Sequence, residues 1–393
     1  MFRFQGCTVH RQMKLPDMSV SLTGYTLADT EGIVTPALLI YPDAVDSNIR
    51  TTLGIVGNDP ARWRPHIKTA KLGAVIAQMV GQGIRNFKCA TTLELLTACQ
   101  SGAADVLLAL AVSGGSARRV AEIAERFPGT RTSVLIESAA QTGAWRGTRV
   151  GVFIDVNSGM NRTGISDERP ADVIRLARDL GPAFRGLHWY DGHISNPSPA
   201  EREKQAHEGY TRLLAVVHAV EAAGVPVEEV ITSGTPATAA GISYPGFAGG
   251  KFRHCVSPGT VVYNDMSSLR QLEGFDYRPA ALVLTTVISH PLDRQITCDA
   301  GHKSVSADAG VPTCTVVGHP EYQPLKPSEE HLPIEIPAGA EAPAIGSKLY
   351  LLPRHVCPTV NNFDQALMVR GGRVVGVEAV TARGHEHPLV LTT

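Results

Sequence analysis

The feature that most constrains this chain is the alternation of short β-like runs with amphipathic helical ones through its first two thirds. After an opening run at 35–41, strand-like segments recur at 64–67, 86–90, 105–110, 131–136, 149–156, 184–190, 228–233 and 256–262. Between them, segments such as 73–80, 92–101, 117–126, 171–180 and 203–223 place apolar residues at i, i+3 and i+4, the repeat of a helix with one buried face. Strands joined by helices run parallel, and eight such units predict a (β/α)8 barrel rather than an open doubly wound sheet.

From about residue 270 the texture changes to β-rich runs punctuated by Gly and Pro, at 281–289, 314–318, 347–352, 366–370 and 373–380. These predict a second, mainly antiparallel β domain, which the 35–41 run is able to join. The expected division is a barrel over 35–268 and a β domain built from 1–34 and 269–393.

Composition narrows the function. The 393 residues are 43% hydrophobic and 19% charged, enough for one large core and a second domain. A formal net charge of −1 without a basic cluster excludes nucleic acid and membrane surface as partners and leaves a small molecule. No apolar run approaches the roughly 20 residues of a membrane span, and no signal-peptide core is seen, so a cytoplasmic enzyme is expected. Seven cysteines at irregular spacing do not make a disulfide framework. Cys89, Cys99, Cys255, Cys298 and Cys314 read as small buried hydrophobes.

Barrels present chemistry in the loops after their strands, so each strand end is a candidate position. Lys68 closes the run Arg64-Pro65-His66-Ile67-Lys68 at such an end and is the candidate Schiff-base lysine. Arg162 lies in the polar turn after the buried strand at 152–156, as a cofactor neighbour or a surface ion pair. Phosphate anchoring calls for backbone N–H groups in small-residue loops that lead into a helix. Ser233-Gly234-Thr235 and Gly259-Thr260 meet that need. In the second domain, Pro353-Arg354-His355-Val356-Cys357-Pro358-Thr359 sets an imidazole and a thiol two residues apart. Read as extended chain, that spacing turns both to one side, where they suit a borderline divalent metal such as Zn²⁺.

Together with Thr35–Tyr41 and Phe87-Lys88-Cys89-Ala90-Thr91, these stretches resemble the fold-type III pyridoxal phosphate (PLP) enzymes, within them the D-threonine aldolase and D-serine dehydratase group. The resemblance implies a barrel followed by a β domain, PLP on Lys68, and a divalent metal (Zn, Mn or Mg) on His355 and Cys357. The Tyr190-Asp191-Gly192-His193 stretch resembles that of the aldolases, making Tyr190 a cofactor contact and His193 an acid/base. The resemblance also implies a homodimer and a β-hydroxy-D-amino acid as substrate. Two departures leave the subtype open: the aldolases often carry aspartate where Cys357 stands, and the family often has histidine where Ala70 stands. The aldolase reaction, giving glycine and an aldehyde, is the first expectation. The dehydratase reaction, giving a 2-oxo acid and ammonia, is the alternative, with a racemase or a non-catalytic PLP-binding protein more remote. Gly301-His302-Lys303 and Ser328-Glu329-Glu330-His331 resemble further family stretches and are expected near the site or at a subunit contact.

Overall fold

A computed structural model describes residues 20–387. The barrel prediction holds. Parallel strands Asn86–Cys89, Asp105–Leu108, Arg131–Ile136, Gly151–Asn157, Phe184–His188, Glu229–Thr232 and Arg253–Val256 lie side by side in that order. Residues 63–67 complete the ring: Arg64 N donates to Val256 O at 2.9 Å on one side and Lys88 N to Pro65 O at 2.9 Å on the other.

Alternation along each strand explains why these sequences close into a barrel. Val152, Ile154 and Val156 pack outward with Val106, Leu108, Val134, Ile136 and Val230 against the surrounding helices. Phe153 points inward, where it meets Leu107, Leu135, Ile231 and Cys255 in a separate small core. Each such apolar side chain contributes about 1.5–3 kcal/mol on burial, so both faces are strongly specified. The helices start where the sequence places caps. Pro42 opens Pro42–Ile55, the Thr91 hydroxyl accepts the Glu94 N–H ahead of Thr92–Gln100, and Ser198 does the same for Glu201 ahead of Pro199–Ala222.

One strand was misplaced by the sequence reading. The eighth is Arg253–Val256, and the apolar run at 256–262 is instead a loop that ends in a 3₁₀ turn, Thr260–Val262. Val261 and Val262 are buried, and the Asn48 side chain donates to Val262 O at 3.1 Å. Their hydrophobicity thus serves packing of the loop beside Pro42–Ile55.

The second domain is a nine-stranded sheet in the order 323–324, 332–335, 295–298, 281–292, 37–40, 365–370, 373–379, with 348–353 pairing both 281–292 and 314–316. All its pairings are antiparallel except that of 37–40 with 365–370. The opening strand therefore belongs to this sheet, and the barrel takes over at Pro42. Tyr25 and Leu27 pack with Leu39, Leu282 and Leu352, which ties the segment from residue 20 to the same sheet. Residues 1–19 of the expected β domain, and Cys7, lie outside the described residues. Val356, Cys357 and Val360 join the barrel's outer core, so the second domain delivers the His355–Cys357 segment to the barrel mouth. Among the described residues no helix is long and apolar enough to cross a membrane.

Candidate active site at the carboxyl ends of the barrel strands

The carboxyl ends of the strands open into a cleft of two lobes, about 300 and 340 Å³, which share His66, Lys68 and Tyr190. The first lobe is also lined by Gly234, Thr235, Gly259, Thr260, His355 and Cys357. The second contains Lys88, Asp155, Arg162 and His188. Most of the residues singled out in the sequence thus converge.

Lys68 sits half-buried in the turn that follows the first strand segment, its N–H donating to His66 Nδ1 at 3.3 Å. Burial and the nearby cations Lys68 and Lys88 hold the His66 imidazole well below its ordinary pKa, in the neutral form. Lys71, three residues on, is spoken for: its amine donates to Glu94 at 2.9 Å and to Ala382 O at 3.0 Å.

Tyr190 divides the lobes. A Cβ on Gly192 would stand 2.3 Å from the Tyr190 hydroxyl oxygen and one on Gly234 3.3 Å from its ring, so both glycines are needed for the ring to lie where it does. The Arg162 guanidinium stacks over this ring at 4.9 Å. That places Arg162 in the cleft instead of a surface ion pair. His193 stands apart. It is exposed at the rim, one residue past Gly192, and lines neither lobe.

The two phosphate-loop candidates follow neighbouring strands and face one lobe. Thr235 and Thr260 each open a 3₁₀ turn, so their N–H groups are left unpaired by that turn. A Cβ on Gly259 would fall 2.3 Å from His66 O, which requires glycine there. Two expectations need correction. The Ser233 hydroxyl turns away from the cleft to Tyr210 (2.9 Å) and Thr232 (3.0 Å), because Ser233 adopts a φ of 64°. Gly234 N–H is already given to Asp191 at 2.8 Å, so this glycine supplies space and not a free donor. Unpaired N–H groups in close-approach loops beside a lysine amine nonetheless fit a phosphate-bearing aldehyde such as PLP.

His355 and Cys357 do meet, but not as extended chain. His355 is the N-cap of the short helix Val356–Val360, and Cys357 lies in its first turn. The imidazole makes no capping hydrogen bond to that turn and pairs instead with the Cys357 and Asp308 side chains. Its Nδ1 is 2.6 Å from Asp308 Oδ2, which leaves Nε2 for another partner. Burial would lower the His355 pKa, but hydrogen bonds with Cys357 and Asp308 outweigh it and hold it up at about 9. Burial raises the Cys357 thiol, yet His355, Lys68 and Thr69 together bring it below its ordinary value. The Thr69 hydroxyl oxygen lies 3.0 Å from Cys357 Sγ, so the thiol is tied to the residue next to Lys68. An imidazole nitrogen and an activated thiol fit a borderline divalent ion. Among the described residues no group of three His, Cys, Asp or Glu side chains forms a fuller cage.

Several neighbours escaped the sequence reading: Thr69, Asp308, Lys88, and the buried pair in which His188 Nδ1 lies 2.7 Å from Asp155 Oδ1. Asp308 precedes His355 by 47 residues, and no local motif links them. The stretches at 301–303 and 328–331 pack on each other, with His302 N donating to Ser328 O at 2.9 Å and Lys303 pairing with Glu329 at 2.9 Å, and line neither lobe.

Residues 40–267 match the family described as alanine racemase, N-terminal domain, and residues 280–369 match the putative serine dehydratase domain. A D-threonine aldolase of Arthrobacter sp. is 27% identical over 362 residues, 89% of this chain and 93% of that protein. A D-threo-3-hydroxyaspartate dehydratase of Delftia sp. (strain HT23) is 25% identical over 367 residues, 86% of this chain and 95% of that protein. The crystal structure of a D-threonine aldolase from Filomicrobium marinum superposes with a TM-score of 0.79 at 26% identity, covering 89% of this chain and 96% of that one.

Proposed function

The chain belongs to the alanine racemase N-terminal-domain family of fold-type III PLP enzymes, and on that premise we propose that it is a lyase cleaving β-hydroxy-D-amino acids to glycine and an aldehyde. The observation that carries this reading is the 3.0 Å contact of Thr69 with Cys357, which joins the cofactor-lysine turn to the His–Cys pair. A racemase moves only the Cα proton and has no need of such a pair facing the substrate's β-carbon. A non-catalytic PLP carrier needs it still less. The curated aldolase relative spans nearly the whole chain and supports the same choice.

PLP would be held by Lys68 and, through its phosphate, by the N–H groups of Thr235, Gly259 and Thr260, and would supply an electron sink for the bond broken at Cα. A Zn²⁺ or Mn²⁺ ion would be held by His355 and Cys357 and would supply Lewis acidity toward the β-hydroxyl. The rest falls to the chain itself. Asp308 fixes the His355 tautomer, and the Thr69 and Thr260 hydroxyls hold the thiol in place. Arg162 gives the second lobe a fixed positive charge for a substrate carboxylate. Tyr190, braced between Gly192 and Gly234, bounds the cofactor. His193, exposed and lining neither lobe, is left out of this arrangement.

Cys357 itself favours a second reading, the dehydratase, because a thiolate ligand is the feature that resembles that branch. The two reactions break different Cα bonds, and a site aligned for one is misaligned for the other. Aldehyde, glycine and ammonia measured in one reaction separate them. Glycine and aldehyde from D-threonine or D-β-phenylserine, without ammonia, are expected. Ammonia and a 2-oxo acid with no glycine would hand the assignment to the dehydratase.

A further inference from the structure

One lysine in the cleft has no part in the arrangement above. Lys88 comes from the strand beside the Lys68 segment, is only 2% exposed, and lines the second lobe with Lys68, His66 and Tyr190. Its amine is 3.5 Å from His188 Nε2, and His188 Nδ1 is 2.7 Å from Asp155 Oδ1. The second Asp155 oxygen accepts the Thr163 hydroxyl at 2.7 Å. An imidazole therefore bridges a carboxylate to an amine that opens on the lobe. Among the described residues no carboxylate bonds Lys88 directly, in contrast to Lys71 with Glu94.

We propose that Lys88 is a second acid–base amine of this cleft, the open end of an Asp155–His188–Lys88 relay that takes the proton from an incoming α-ammonium group. The inference rests on the reading that Lys68 carries the cofactor. An amino acid arrives as a zwitterion, and its nitrogen has no lone pair until one N–H bond breaks. Neutral Lys88 accepts that proton and becomes an ammonium; the freed lone pair would form the new C–N bond as the carbon's bond to Lys68 breaks, the Lys68 nitrogen keeping that bond's electrons and taking the second proton shed by the incoming nitrogen. At the end of turnover Lys88 returns the proton to the departing amine, so no acid or base is consumed.

The surroundings keep Lys88 ready for this. Lys68 and His66 face it from the first segment with Arg64 below, Asp155 and His188 from their strands, and Asp191 and Arg162 from the loops. Burial, then the charge of Lys68, lowers its pKa to about 7, while Asp191 and Asp155 pull the other way. At neutral pH much of it is the free amine, whereas a lysine at its ordinary value would be almost wholly protonated.

Cofactor-free wild-type protein, trace-labelled with acetic anhydride across a pH series and mapped by mass spectrometry, reads the amine directly. Half-maximal labelling of Lys88 near pH 7 is expected. Labelling that rises only above pH 9, or none at all, overturns the proposal. In the loaded enzyme, Lys88→Gln and Lys88→Arg should each lower kcat/KM by roughly 10²-fold and displace the acidic limb of its pH profile, with cofactor absorbance retained. Recovery of activity in Lys88→Arg would make Lys88 a mere positive charge and sink the relay. Should the cofactor prove to be attached elsewhere than Lys68, the functional reading falls, while the labelling curve still reports on Lys88.

Discussion

The two ends of the barrel interior are built from the same strands, yet they hold charge in opposite ways. At the amino ends, Arg64 donates to Glu229 (2.8 and 3.0 Å) and to Asp105 (2.8 Å), and Arg185 donates to Asp105 (2.6 and 3.1 Å) and to Ser133 (2.7 Å). Arg253 completes the set on Glu229. Nearly every charge there has an opposite partner. Above them lies an apolar layer of Leu107, Leu135, Phe153, Ile231 and Cys255. Beyond that layer, at the carboxyl ends, Lys68, Lys88 and Arg162 make no ion pair among the described residues, although Asp155, Glu137 and Asp265 line the same cleft. Asp191 is occupied by Tyr210 and Gly234, and Asp155 by His188 and Thr163. Paired charge locks a structure, whereas basic side chains without an ion pair in a cleft are free to meet an anionic ligand.

The largest effect expected from this contrast comes from removing one cation at each end. Arg64→Met takes one guanidinium partner from each of the buried Glu229 and Asp105, leaving them only Arg253 and Arg185, and should cost about 3 kcal/mol in urea unfolding. Lys88→Met should do the reverse and stabilise the protein. The sign follows from the direction of its shift. The folded pKa of Lys88, about 7, lies below the ordinary 10.5, so folding is penalised wherever the amine must be charged. That penalty is whole below pH 7 and fades as pH rises from 7 toward 10.5. The gain in Tm from Lys88→Met should therefore be larger at pH 6 than at pH 9. A destabilised Lys88→Met at pH 6, or an Arg64→Met as stable as wild type, would break the comparison.

A smaller effect separates the cleft thiol from its buried counterparts. Burial pushes Cys99 up to about 11 and Cys298 and Cys314 to about 12, and raises Cys89 and Cys255 well above their ordinary value, whereas Cys357 is lowered. After chelation, brief iodoacetamide treatment at pH 7 should alkylate Cys357 ahead of these five, and prior addition of Zn²⁺ should protect it. Equal labelling of Cys99 and Cys357 would remove the distinction on which the His–Cys assignment stands.

The amount of this legible in the sequence differs between the two ends as well. Period-two alternation exposes the strands, and a strand end advertises its loop. Position therefore singles out Lys68, Arg162, Thr235, Gly259 and Thr260, and the resemblance singles out Tyr190, all of which line the cleft. The same logic misplaced the last strand, because a short apolar run such as Val256–Val262 looks alike whether it pairs in a sheet or packs as a turn. The short strands Gln295–Cys298, Gln323–Pro324 and Leu332–Glu335 carry too few residues to show a period. Lys88 was read only as part of a motif, since nothing local reveals that its strand turns it toward His188. Asp308 reaches His355, and Thr69 reaches Cys357, only because the β domain docks on the barrel mouth. Contacts made across domains leave no trace in local spacing.

That Lys68, Lys88 and Arg162 gather around a cofactor carried by Lys68 is open to one direct measurement. Protein loaded with PLP should show visible absorbance that borohydride removes irreversibly, and peptide mapping should then find the reduced adduct on Lys68 alone. Lys71, bound to Glu94 and Ala382 O, and Lys88, bound into the His188 relay, should remain unmodified. An adduct on Lys88 or Lys71, or absorbance that survives in Lys68→Ala, would contradict the account.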